Sequence, residues 1–199
     1  MTNLLRVGGA TIEHGKALEF AEKYLANKEG TWAYPAYDGY PGHPGREIGR
    51  ADLLAVALLN AHQAPIESYY GLESLIDDVN ERLEALTSDE RLETADQPLI
   101  DRVARLFGVL DKRRPKHVSL TKLSKVLHRK RPGLIPLYDK NIRRCYVELG
   151  SPPPVLADPE RSWEDYAKVL LPAIQHDLTS QLICRSCLGS SVIGVAVCS

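Results

Sequence analysis

The sequence predicts an all-α fold, a compact multi-helix domain with one aromatic loop rich in glycine and proline. Three observations predict it. Apolar residues recur at i, i+3, i+4 and i+7 in successive segments, the period of an amphipathic helix. The segments are bounded by residues that start or stop helices, such as Ser119, Pro132, Asp139 and Ser162. No strong alternation with the two-residue period of a strand appears before residue 180. With 199 residues, 44% of them hydrophobic, the chain can bury one core and is not of the disordered class. Residues 1–180 read as a single helical domain. Residues 181–199 read as an atypical tail that forms an edge strand or stays loose.

Residues 13–27 are the first expected helix, with Leu18, Ala21, Tyr24 and Leu25 on one face and Glu19, Glu22 and Lys23 on the other. Residues 31–49 are the loop: Trp32, Tyr34, Tyr37 and Tyr40 stand among prolines and glycines that forbid a regular helix. These aromatics either clamp onto the helices or form a gripping loop with Asp38 at its tip. On the second alternative Tyr37, Asp38 and Tyr40, with His128, are candidate substrate-binding residues. Residues 50–61 are apolar nearly all round and predict a buried helix. Residues 68–86 carry Leu72, Leu75, Ile76, Val79, Leu83 and Leu86 at helical spacing, with acids outside. A polar connector ends at Asp96 or Gln97, and Pro98 suits the first turn of a helix reaching Leu110. Ser119 is placed to cap a helix that Pro132 stops, and residues 132–136 are extended. Asp139 is placed to cap a helix over 140–149. After a rigid SPPP connector, Ser162 and Asp165 form a capping box ahead of a helix over 163–178, which Pro172 kinks or interrupts.

The formal net charge of -1 hides a strong segregation. From Lys112 to Arg144 there are twelve lysines and arginines against one acid, Asp139, whereas from Glu67 to Asp101 eleven acids face two arginines. The two regions either neutralise each other or leave a solvated basic face that attracts polyanions. On a helical wheel, Leu120, Leu123, Val126 and Leu127 form one side of the 119–131 helix and Lys122, Lys125 and Arg129 the opposite side, with Thr121, Ser124 and His128 on a flank. The expectation is a helix that packs by its leucines and turns its cations to solvent. Lys122, Lys125, Arg129, Lys130, Arg131, Arg143 and Arg144 are the candidate contacts to DNA or RNA phosphates.

The phrases YPAYDGYPGHPG, ADLLAVALLNA and LTKLSKVLHRKRPGLIPLYDKNIRRCY resemble a bacterial family of domains of unknown function, across more than half the chain. That family brings no activity with it. A shorter stretch, residues 120–142, resembles the helix-hairpin-helix DNA glycosylase superfamily, in particular its 8-oxoguanine-type members. There a lysine-bearing helix is followed by a proline, an extended bridge and an aspartate that caps the next helix. The resemblance implies a glycosylase-like fold with Asp139 and either Lys122 or Lys125 as catalytic residues. Lys122 precedes Asp139 by 17 positions and Lys125 by 14, and the first is nearer the superfamily spacing. A fixed carboxylate would stabilise cationic sugar character, and a lysine of lowered pKa would attack the sugar carbon of a flipped nucleotide. The chain departs from the pattern in KRRPKHVSLTK, which lacks the glycines of the superfamily's phosphate-binding hairpin. Asp139 is equally well explained as a plain N-cap.

Other chemistry finds little purchase. Cys184 and Cys187 form a single CxxC, and Cys198, His176 and Cys145 show no matching pattern, so no metal site is expected. There is no HExxH, GxGxxG, phosphate loop or GxSxG, and no cofactor is expected. The first residues lack the charged-then-apolar form of a secretory leader, and no apolar run is long enough to span a membrane. The expected location is therefore the cytoplasm, with reduced thiols. Oligomeric state is not readable. Three functions follow: a nucleic-acid- or phosphate-binding domain, a glycosylase or lyase, and a non-catalytic module whose basic patch meets an acidic protein.

Overall fold

The computed structural model describes residues 4–26, 33–59, 61 and 63–181, and Cys184, Cys187 and Cys198, like Trp32, lie outside them. The molecule is mainly helical, with one departure from the all-α expectation. Strands β1 (Leu4–Val7) and β2 (Ala10–Glu13) pair antiparallel, with Leu5 opposite Ile12 and Val7 opposite Ala10. The hairpin was hidden because each strand has only four residues and so offers just two apolar positions, Leu5 and Val7 on β1 and Ala10 and Ile12 on β2, to its inner face. Its signal is Gly8-Gly9: Gly8 holds φ +60, the left-handed conformation that a tight hairpin turn needs. The turn is anchored to the body, since Gly8 N–H donates to Asp177 Oδ2 (2.6 Å) and Gly9 N–H to the Cys145 carbonyl (2.7 Å).

Helices α1 (His14–Ala26), α2 (Ala33–Gly39) and α3 (Arg50–Leu58) follow. Helix α2 corrects the expectation that residues 31–49 are free of helix. Pro35 lies in its first turn, where an N–H has no intrahelical acceptor to lose, and Gly39 ends it. The single helix expected over 68–86 is two, α4 (Pro65–Glu73) and α5 (Ile76–Leu83), broken at Ser74 and Leu75. Helix α6 (Gln97–Phe107) is capped by Asp96, which accepts from Leu99 N–H at 2.9 Å, and α7 (Val109–Lys112) extends it.

Helix α8 (Leu120–Lys130) has Ser119 at its N-cap position, but the serine side chain makes no capping bond. Asp139 does cap α9 (Lys140–Arg143), which continues as a wider turn over Arg144–Glu148 closed by Leu149 N–H to the Arg144 carbonyl. Helix α10 (Trp163–Ser180) opens on the expected capping box, Asp165 N–H to Ser162 Oγ at 3.0 Å, and runs on through Pro172. Among the described residues no helix is long and apolar enough to cross a membrane.

One core holds these elements together. Val103, Ala104 and Leu106 of α6 and Leu171 of α10 are fully buried where the two helices lie side by side, and Leu123, Val126 and Leu127 of α8 join them. On its other side α8 packs against α3. It is thus enclosed on two faces, and this sets the fate of its cations.

Candidate anion-binding site

The leucines of α8 face the core as expected, but its cations do not face solvent. Lys122 is 6% exposed, Lys125 7% and Arg131 3%. The reason is the second packing face. Helix α3, its link to α4, and the 37–46 segment cover the side of α8 opposite the leucines and offer it a row of main-chain carbonyls. Lys122 Nζ donates to Gln63 O (2.6 Å), His117 O (2.9 Å) and Ser68 Oγ. Lys125 Nζ donates to Leu59 O. Arg129 donates from its two terminal nitrogens to Tyr37 O and Tyr40 O, and its guanidinium carbon sits 5.2 and 5.4 Å from the centroids of those two rings. Carbonyl and ring faces together replace the water that a buried guanidinium gives up.

At the C-terminal end of α8 the contacts tighten. Lys130 Nζ donates to His43 O (2.8 Å), Gly45 O (3.2 Å) and Asp52 Oδ2 (2.9 Å), which engages all three of its hydrogens. Arg131 donates to the carbonyls of Leu83, Leu86, Arg46 and Lys130 through five bonds, which engages all of its own. Asp52, 1% exposed, is the carboxylate at the centre. Its Oδ1 accepts from His43 N–H (3.2 Å) and lies 3.8 Å from Arg129 Nε, and its Oδ2 also accepts from Gly49 N–H (2.9 Å). Arg129 Nε is buried without a hydrogen-bond partner.

The charges inside do not balance. Five cations on α8 and its C-cap are withdrawn from bulk water, and among the described residues Asp52 alone pairs with any of them at ion-pair distance. Lys122, Lys125 and Arg131 sense Glu67, Asp139 and Glu90 only from farther off. Burial lowers the pKa of all three. For Lys125 the Lys122 charge adds to the effect, and for Arg131 the Arg46 charge does. The excess opens to the surface in a cleft of about 270 Å³ lined by Pro41, His43, Gly45, Arg46, Ser88 and Asp52, with Arg129, Lys130 and Arg131. Arg46 is exposed, and its side chain makes no bond to the described residues.

The other candidates lie elsewhere. Arg143 pairs with Glu148, and Arg144 is exposed. Asp139 Oδ1 accepts from Asn141 and Ile142 N–H, both at 2.9 Å, and the carboxylate is close enough to Lys125 for their charges to interact. Tyr37 is buried and donates its hydroxyl to Lys125 O (2.5 Å); Tyr40 donates to Ala51 O (3.1 Å). The aromatic segment is therefore a clamp on α8 and α3 through these two rings. His128 Nδ1 lies 2.6 Å from Ile135 O, so this nitrogen carries the proton. Burial keeps the imidazole below its usual pKa, although nearby Asp38 opposes the shift, and partial burial raises the Asp38 carboxyl. Asp38 thus lies near His128 and Asp139 near Lys125, but none of the four lines the cleft.

Asp52 was missed because, Arg50 apart, it sits in an apolar helix. Its signal was position: a carboxylate at the third residue of a helix that opens on Gly49 reaches back to the cap N–H. Among the described residues no three His, Cys, Asp or Glu side chains gather as metal ligands do.

A model of the family of unknown function (DUF6308) matches residues 17–186, and the chain belongs to that family. No curated protein and no solved structure matches it.

Proposed function

We propose that the protein binds a phosphate-bearing ligand in the cleft between residues 41–46 and the C-terminal end of α8. The observation that carries this is the excess of positive charge in the lining: Arg46, Arg129, Lys130 and Arg131 surround one carboxylate in a cavity of about 270 Å³, and Glu47, Glu90 and Asp38 act on them only from outside it. A buried charge excess without a counterion is costly, and an anion that enters offsets the cost. The site differs from a helix laid along a duplex, because Lys130 and Arg131 have no hydrogen left to donate and act by charge alone. Phosphate at a hundred times its dissociation constant should stabilise the fold by about 2.7 kcal/mol. The test is the melting temperature in phosphate against chloride at equal ionic strength. A response to ionic strength alone would remove the proposal.

A second reading rests on Lys125. Desolvation lowers the pKa of its amine, which favours the neutral nucleophile, and the Asp139 carboxylate stands near it. This is the arrangement that the glycosylase resemblance implies, with a nucleic acid as substrate. Borohydride reduction with abasic DNA should then trap an adduct that Lys125→Ala abolishes. A glycosylase without lyase activity should instead lose base release on Asp139→Asn. Neither result leaves the phosphate site alone in place.

A further inference from the structure

Resting on the phosphate reading above, we infer that the cleft selects a terminal phosphate, a phosphomonoester dianion, over an internal phosphodiester. Charge favours this first. The four lining cations exceed Asp52 by three, and both Asp52 oxygens are already covered by Lys130, Arg129 and the N–H groups of His43 and Gly49. A monoester carries close to two negative charges at neutral pH and a diester one.

Donor geometry favours it second. With Lys130 fully engaged by two carbonyls and Asp52, and Arg131 by carbonyls, Arg46 and Arg129 are the two of the four cations that have hydrogens to give. Arg46 has its whole fork free, and Arg129 keeps a second N–H on each terminal nitrogen besides its unpartnered Nε–H. Two guanidinium forks are best met by a group with three unesterified oxygens. A diester presents two. Size is the third point, because about 270 Å³ falls just below the range of small-molecule sites, roughly 300–1,000 Å³, and holds a phosphate with its first substituent.

The phosphate can belong to a free nucleotide or to the end of a nucleic acid, and the experiment separates the two. Calorimetric titrations at pH 7.5 and fixed ionic strength would use methyl phosphate, dimethyl phosphate, a nucleoside 5′-monophosphate, and one oligonucleotide with a 5′-phosphate or a 5′-hydroxyl. Methyl phosphate should bind at least about tenfold more tightly than dimethyl phosphate, as a second charge opposite a net positive cleft requires. Arg46→Ala should weaken methyl phosphate about tenfold at unchanged melting temperature, since that side chain holds nothing in the fold. Preference for the mononucleotide assigns a free nucleotide, and preference for the 5′-phosphorylated strand assigns a nucleic-acid end. Equal affinity for the two methyl esters, or for the two oligonucleotides, overturns the inference while leaving anion binding intact. No binding of any phosphate, or no effect of Arg46→Ala and Arg129→Gln, overturns the cleft itself.

Discussion

Asp52 is the one carboxylate at the cleft that pairs with Arg129 and Lys130, and it also joins the N–H groups of His43 and Gly49. Removing one partner of a buried pair strands the other, and Asp52→Ala should cost about 3–5 kcal/mol. Urea denaturation measures it, and a loss below 1 kcal/mol would mean that carbonyls alone satisfy the two cations. His128 makes a prediction in pH. Burial holds its folded-state pKa below the ordinary 6.5, so the unfolded chain takes up a proton first as pH falls. The imidazole's contribution is complete above 6.5 and is lost as pH drops from there through the lower folded-state value. His128→Asn, whose amide can keep the bond to the Ile135 carbonyl, should flatten that part of the stability–pH curve. An unchanged slope would assign it to another group.

At the level of elements, α8 and α9 show what side-chain pattern conveys. The leucine seam of α8 was legible, because periodic apolar residues have one low-energy place to go. The destination of its cations was not. The wheel placed Lys122, Lys125 and Arg129 opposite the seam, which is where they are, but solvent does not lie there. Segments some 60 to 90 residues earlier in the chain do, and they hold the cations through main-chain carbonyls, which no side-chain pattern records. Asp139 was legible because capping is local: the aspartate, two N–H groups and the helix start lie within four residues. Asp139→Ala should cost about 0.5–2 kcal/mol in a denaturation midpoint and leave phosphate affinity alone. A change in affinity would join α9 to the cleft and favour the lysine–aspartate reading.

Across the molecule, charge segregation in the sequence meant something other than a basic surface. Part of the positive run from Lys112 to Arg144 is inside, organising the aromatic segment and the cleft. Lys112 at the end of α7, and Arg114 and Lys116 in the connection before α8, are exposed together with Lys140 and Arg144. These two groups of cations make rival claims on any anion. Titration of ¹⁵N-labelled protein with phosphate, followed by NMR, decides between them most directly. The account predicts that the Arg129 Nε–H signal and the amides of His43, Gly45 and Arg46 shift together and saturate with one dissociation constant. Shifts confined to residues 112–117 and 140–144, with the cleft signals unmoved, would contradict it.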